Sequence, residues 1–227
     1  VYWLIVLYNH SVPISLCAFV LCFLFQKAEA AKPVIDNERV TVFDVTITKG
    51  KAIPAQPRPF DAVRVYLTGG MIRTTQTDGK SSVVTRSTGD AVFEPRGTAP
   101  GEELVSGGDP AREIVIELKD HKVEPIPNTS GYPEAFPRSG SKKLLDNDRV
   151  TVWDYAWRLG LPTAMHFHSR DVVVIYLEDG NLRSITPDGE SVDNEYSAGA
   201  IRFNLRNRVH FEQLTSGAER AIITELK

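Results

Sequence analysis

Cysteine is nearly missing from this 227-residue chain: there are two, Cys17 and Cys22, both within the first thirty residues. Beyond that segment no disulfide, thiol nucleophile or thiolate metal ligand is available. Basic residues are not in excess either, since 26 Lys+Arg stand against 29 Asp+Glu for a formal charge of −3. The electrostatic footprint of a nucleic-acid-binding surface is therefore lacking. No stretch sustains a 3.6-residue apolar period, and no second long apolar segment follows the first, so neither helices nor further membrane segments are expected. Hydrophobic residues at 42% and charged residues at 24% are ordinary for a globular domain and exclude a disordered, collagen-like or coiled-coil chain.

The N-terminal segment stands apart. From Val1 to Phe25 there is no Lys, Arg, Asp or Glu, and Ile14 to Phe25 reads ISLCAFVLCFLF. Ala28-Glu29-Ala30 follows, which is the small-x-small pattern of a secretory signal with cleavage expected after Ala30. The apolar run is short for a membrane helix, which needs roughly 20 residues. Residues 1–30 are thus read as a signal peptide, against the alternative of an uncleaved anchor. A secreted or periplasmic protein is expected, free of the membrane once cleaved.

The remainder is written twice. Asp36-Asn37-Glu38-Arg39-Val40-Thr41-Val42-Phe43-Asp44 recurs as Asp146-Asn147-Asp148-Arg149-Val150-Thr151-Val152-Trp153-Asp154, an offset of 110 (146 − 36). The register continues through Gly50/Gly160, Asp61/Asp171, Tyr66/Tyr176, Arg73/Arg183, Gly89/Gly199 and Arg96/Arg206, then slips by two before Leu118 meets Leu226. An internal duplication is the reading, with repeats over 31–120 and 144–227. Residues 121–143 carry Pro125, Pro127, Pro133 and Pro137 and are read as an ordered or semi-rigid linker. Each repeat is a series of short β-branched and aromatic runs, such as Val172 to Leu177, divided by Asp-Gly turns at 78–79 and 188–189. Such spacing indicates an all-β fold of two jelly-roll barrels.

Chemistry is sought where the repeats differ. His166, His168 and His210 all fall in the second repeat, facing Gln56, Arg58 and Pro100 in the first. His166-Phe167-His168 on a strand sends both imidazoles to one face. His210 follows some forty residues later and, in a small barrel, can face the pair. Three neutral imidazoles suit a divalent transition metal and leave positions open for water or substrate. Scattered core or rim histidines are the alternative. Glu212 would point the same way as His210 on an extended strand, as general base, as an anchor behind the ligands or as a rim carboxylate. Trp153, Tyr155 and Trp157 share a face, in core packing, inter-barrel contact or a substrate wall. Arg202, Arg206 and Arg208 are candidates to draw an anion, with Arg206 read as structural because Arg96 matches it in the repeat without histidines, and Arg58 is expected to place a cation in the first repeat's cavity.

Gly160-Leu-Pro-Thr-Ala-Met-His166-Phe-His168, followed by a strand ending at Gly180, resembles the first cupin motif, and Gly199 through His210 resembles the second. The chain is therefore identified as similar to bicupins, with one metal site emptied. The resemblance implies His166, His168 and His210 as metal ligands. Cupins commonly add a glutamate four residues after the second histidine, where this chain has Val172. Asp171, one residue early, is the candidate substitute, against a turn or capping role that Asp61 at the same place in the first repeat favours. A homodimer is implied by resemblance alone.

A site of three histidines leaves the metal's charge uncompensated and favours anionic or chelating ligands such as carboxylates, enolates and diketones. Fe, Zn, Mn, Ni and Cu all accept imidazole. The functional expectation is an exported metalloenzyme acting on a small organic acid or enolisable substrate. Dioxygenase-type oxidation comes first, and isomerase or decarboxylase chemistry next. The alternative is a non-catalytic binding protein that captures a small anion in the barrel.

Overall fold

The computed structural model describes residues 32–97, 100–108 and 110–227, so the export segment read at 1–30 and both cysteines lie outside the described residues. Every regular element among the described residues is a β-strand. The first half contains β1 (Ile35–Asp36), β2 (Val40–Ile47), β3 (Asp61–Tyr66), β4 (Gly70–Thr75), β5 (Ser81–Arg86), β6 (Ala91–Glu94), β7 (Gly101–Gly107) and β8 (Ala111–Leu118). The second contains β9 (Lys142–Asp146), β10 (Val150–Ala156), β11 (His166–His168), β12 (Val172–Tyr176), β13 (Gly180–Ile185), β14 (Ser191–Tyr196), β15 (Ile201–Asn204), β16 (Arg208–Gly217) and β17 (Arg220–Leu226). Each half is a five-stranded sheet facing a smaller one, ordered β1-β2-β8-β3-β6 with β5-β4-β7, and β9-β10-β17-β12-β15 with β11-β16-β13-β14.

The two halves share this order except for β11, the strand of His166 and His168, which has no counterpart in the first half. There, Pro54, Pro57 and Pro59 surround Gln56 and Arg58. Prolines remove the N–H groups that a ladder needs, so this segment forms an isolated bridge of Ile53 to Glu102 and accepts at the Arg58 carbonyl from Gly97 N, without a strand among the described residues. The repeat without the histidines also lacks the strand that would carry them.

The five-stranded sheets are covered on both faces, which is why β12 reads VVVIY and buries all five residues. Val173 and Ile175 of β12, Val150 and Val152 of β10 and Ile222 of β17 turn outward. They pack on Val40, Val42, Val63, Val65, Ile114 and Ile116 of the first barrel, forming one cluster between the barrels. The alternate residues Val172, Val174, Tyr176, Trp153, Tyr155 and Ile223 fill the second barrel with Trp157, Phe136 and Leu214. The aromatic alternation is therefore core, and the inter-barrel contact is aliphatic. Each fully buried Val or Ile side chain contributes about 1.5–3 kcal/mol.

In the first barrel a buried charge cluster lies beside an apolar one of Ile47, Tyr66, Ile72, Leu104 and Ala111. Val63 and Val65 face the second barrel, so Arg64 between them points inward. Its guanidinium pairs with Glu102 and Glu113, and with Glu94 at 3.1 Å, while the Tyr66 hydroxyl donates to Glu102 at 3.1 Å. Burial pushes the Glu113 carboxyl well above its ordinary value, against the pull of Arg64. Arg58, expected as the cavity's fixed cation, sits at its edge, 3.4 Å from Glu94. Arg64, which pattern reading passed over, occupies the centre.

Reciprocal ion pairs tie the barrels together. Arg39 of the first donates to Asp171 of the second at 2.7 Å, and Arg149 of the second lies 3.4 Å from Asp61 of the first. Arg112 binds Asp44 through two nitrogens and Arg220 binds Asp154 likewise. Each of these arginines reaches the other barrel's turn glycine. A Cβ on Gly199 would meet Arg112 Nη1 at 2.5 Å, and one on Gly89 would meet Arg220 Nη2 at 2.8 Å. Both glycines also hold positive φ, +85° and +89°, a conformation that side chains rarely adopt.

Candidate metal centre

His166 and His210 are direct partners in the β11–β16 ladder, and His168 stands opposite Arg208. The period-2 alternation brings His168 to the face of His166, so one nitrogen of each ring lies within 4.8 Å of the others. His168 Nε2 and His210 Nε2 are 3.0 Å apart. Two rings are oriented from behind: His166 Nδ1 is 2.8 Å from the Ala164 carbonyl and His210 Nδ1 is 2.6 Å from the Ser184 hydroxyl. A proton on His166 Nδ1, donated to that carbonyl, leaves the Nε2 lone pair facing the cluster.

All three histidines are buried. Burial is the main cause that lowers each pKa: His166 below its usual value, His168 well below with Arg208 adding to it, and His210 to about 4. The rings are neutral near pH 7, the state in which imidazole ligates. His168 Nδ1 is buried with no hydrogen-bond partner among the described residues, and when His168 and His210 carry their protons on Nδ1 both Nε2 lone pairs face the space that a cation would fill. The donor set thus fits a divalent transition metal.

Glu212 lies beside the cluster without joining it. Its Oε2 accepts from Trp157 Nε1 at 2.9 Å and Arg138 Nη1 at 3.2 Å. Burial alone would raise its pKa, but Arg138 and the adjacent histidines outweigh this and hold it at about 2. A carboxylate so firmly ionised is a weak general base, because efficient proton transfer needs a pKa near the working pH.

Asp171 is the sequence candidate that the structure places elsewhere. Its Oδ2 accepts from Arg39 and its Oδ1 accepts from the Arg206 backbone N–H at 2.9 Å. Both oxygens are committed to the inter-barrel seam, and Asp171 is not among the converging ligand atoms. The same location in each repeat, Asp61 and Asp171, reflects this seam.

Arg138 was not found from sequence. It belongs to the proline-rich segment read as a linker, which adheres to the second barrel: Ala135 N donates to Phe167 O and Phe167 N to Pro133 O, both at 2.8 Å. Phe136 stacks on Trp153 with centroids 5.3 Å apart. Arg138 then lies over Tyr155, 3.9 Å from the ring centroid, with Nη1 3.5 Å from His166 Nε2. No motif marks it, because its place depends on the path of the whole segment. With Arg208 and Glu212 it closes a cavity of about 30 Å3 beside His168 and His210, room for one or two waters.

The Leptotrichia buccalis cupin 2 conserved barrel domain protein superposes with a TM-score of 0.54 at 13% identity, over 86% of this chain and 88% of that one. Bacillus subtilis oxalate decarboxylase, a protein with Mn(II) centres, gives a TM-score of 0.58 at 10% identity over 84% of this chain and 69% of that one. The fold is a tandem cupin. Within this fold the second barrel carries the HxH…H triad and the first does not. No family model matches the chain. The beta-alanine degradation protein BauB of Pseudomonas aeruginosa is 38% identical over 61 residues, 27% of this chain. That match spans 60% of the curated relative's length.

Proposed function

We propose that the second barrel is a divalent metal centre held by His166, His168 and His210. The chain is then a metalloenzyme acting on a small organic acid or enolisable substrate. The observation that carries this reading is the convergence of three neutral imidazoles beneath Arg138. A metal bound there supplies Lewis acidity to a chelating carboxylate or enolate. Arg138 and Arg208 are the cations that receive the substrate's negative oxygen, and Glu212 with Trp157 keeps Arg138 in place. The narrow cavity restricts the substrate to a few heavy atoms unless Arg138 swings away. Oxidation of the dioxygenase kind is the first reaction to test, with decarboxylation and isomerisation next. Export rests on the ISLCAFVLCFLF run and Ala28-Glu29-Ala30.

A second reading has its own support. Glu212 is held by Arg138 and Trp157, which leaves no carboxylate poised near neutrality beside the triad. A barrel that only binds a small anion through metal and arginine needs no such group. Elemental analysis of the chain beside His166→Ala/His210→Ala tests the common ground. One equivalent of transition metal, lost in the variant, supports the centre, and none after reconstitution overturns it. Metal-dependent turnover of small carboxylates, followed by NMR, separates enzyme from binder.

A further inference from the structure

The first barrel has a cavity at the positions that surround the triad in the second. The ladders keep one register in both halves: Thr74 faces Glu102 as Ser184 faces Glu212, and Gly70 faces Arg86 as Gly180 faces Tyr196. In that register His210 becomes Pro100, Asn204 becomes Glu94 and Tyr196 becomes Arg86, and all three first-barrel residues line the cavity. Its volume is about 270 Å3, against about 30 Å3 beside the triad. In the second barrel Tyr196 stacks on Tyr176 with centroids 3.8 Å apart. In the first, the Arg86 guanidinium carbon lies over the Tyr66 ring, 5.2 Å from its centroid.

The charges around this cavity balance in number but not in place. Arg64 and Arg58 meet three carboxylates, those of Glu94, Glu102 and Glu113. Arg86 forms no ion pair with a described carboxylate, and its Nε is buried without a hydrogen-bond partner among the described residues. One end of the cavity is therefore positive at Arg86, and the other has carboxylate to spare at Glu94 and Glu102. Glu94 receives Arg64 on Oε2 at 3.1 Å, and its Oε1 accepts no hydrogen bond among the described residues. The crowding also shows in Glu113, whose pKa is raised first by burial, with the charges of Glu102 and Glu94 adding to it against the pull of Arg64. Val92, Phe93, Pro95 and Pro100 give the cavity an apolar side.

We propose that the first barrel is a ligand site which uses fixed charges in place of a metal and takes a small zwitterion, an amino acid with an aliphatic side chain. The carboxylate sits on Arg86, the ammonium group on Glu94 and Glu102, and the side chain on Val92, Phe93 and Pro100. Both ends are then held by charge-assisted hydrogen bonds, stronger than neutral ones. The volume lies just under the roughly 300–1,000 Å3 of small-molecule sites, which admits a ligand of a few heavy atoms and excludes a bulky one. This site is separate from the histidine triad and does not depend on the function proposed for it.

Titration calorimetry of the full chain with L-valine tests the assignment, beside 3-methylbutanoate and 2-methylpropylamine, which each keep one of its two charges. Saturable one-to-one binding of L-valine is expected, at least about tenfold tighter than either single-charge probe. Arg86→Gln removes a cation that holds no carboxylate of the fold, and should bring L-valine down to the affinity of 2-methylpropylamine. His166→Ala/His210→Ala should leave L-valine binding within about twofold, because the triad takes no part. Absence of L-valine binding by the folded chain overturns the proposal. Equal affinity for either single-charge probe overturns it as well, since one end of the zwitterion is then unread. So does binding that is lost in the histidine variant while Arg86→Gln retains it, because the amino acid then sits at the triad.

Discussion

Arg39 Nη1 and Asp171 Oδ2 are 2.7 Å apart across the seam between the barrels, with only 8% and 6% of their side chains exposed. The pair closes one end of a contact whose other end is closed by Arg149 and Asp61. Removing one member of a buried pair strands the other charge, at a cost of about 3–5 kcal/mol. Arg39→Ala should therefore lower stability by about 3 kcal/mol in urea denaturation. Asp171→Asn should leave the metal content of the chain unchanged. Loss of metal in that variant would return Asp171 to the ligand set.

Arg64 is the most exacting position of the first barrel. Three carboxylates converge on its buried guanidinium, at Glu94, Glu102 and Glu113. Arg64→Ala is expected to cost at least about 3–5 kcal/mol or to prevent folding. Arg64→Met combined with Glu102→Gln and Glu113→Gln should recover much of the loss, because neutral partners need no cation. A triple variant as unstable as Arg64→Ala would contradict the charge argument.

Glu219 gives a stability signature in pH. Its side chain is 1% exposed, neither oxygen has a hydrogen-bond partner among the described residues, and burial with Asp179 and Glu178 nearby raises its pKa to about 8. The folded protein therefore keeps a proton that the unfolded chain releases near the ordinary 4.5. The contribution is fully present below pH 4.5 and is lost as pH rises towards 8. The slope in that window is at most ~1.4 kcal/mol per pH unit. Glu219→Gln should flatten it, as read from denaturation midpoints across the window.

Arg138 offers a direct probe of the proposed substrate cation. Arg138→Gln should keep the metal equivalent while weakening binding of small carboxylates by about tenfold, or ~1.4 kcal/mol. Arg138→Lys should recover only part, since an ammonium group cannot reach His166 and Glu212 while stacking on Tyr155. Unchanged carboxylate affinity in Arg138→Gln would take the residue out of the binding step.

The all-β architecture was legible because it rests on local chemistry. β-branched runs such as Val172 to Ile175 cannot pack as well in any other form, and Asp-Gly pairs at 78–79 and 188–189 mark the reversals between them. The HxH pair was legible for the same reason, since strand periodicity alone puts His166 and His168 on one face. His210 was placed with them by the expected barrel and by the resemblance to the second cupin motif, and the ladder sets it directly opposite His166.

What remained hidden depends on contacts between distant segments. Arg64 alternates with valines like any outward polar residue, and only a sheet covered on both faces turns it into a buried centre. Asp171 lies one residue short of the ligand spacing, and its partner Arg39, 132 positions away, claims it. Arg138 stands in a segment without periodicity, so its place above His166 is set by where Phe136 and Ala135 dock. Periodicity tells which face a side chain takes. What lies across that face is decided by the packing of one barrel on the other.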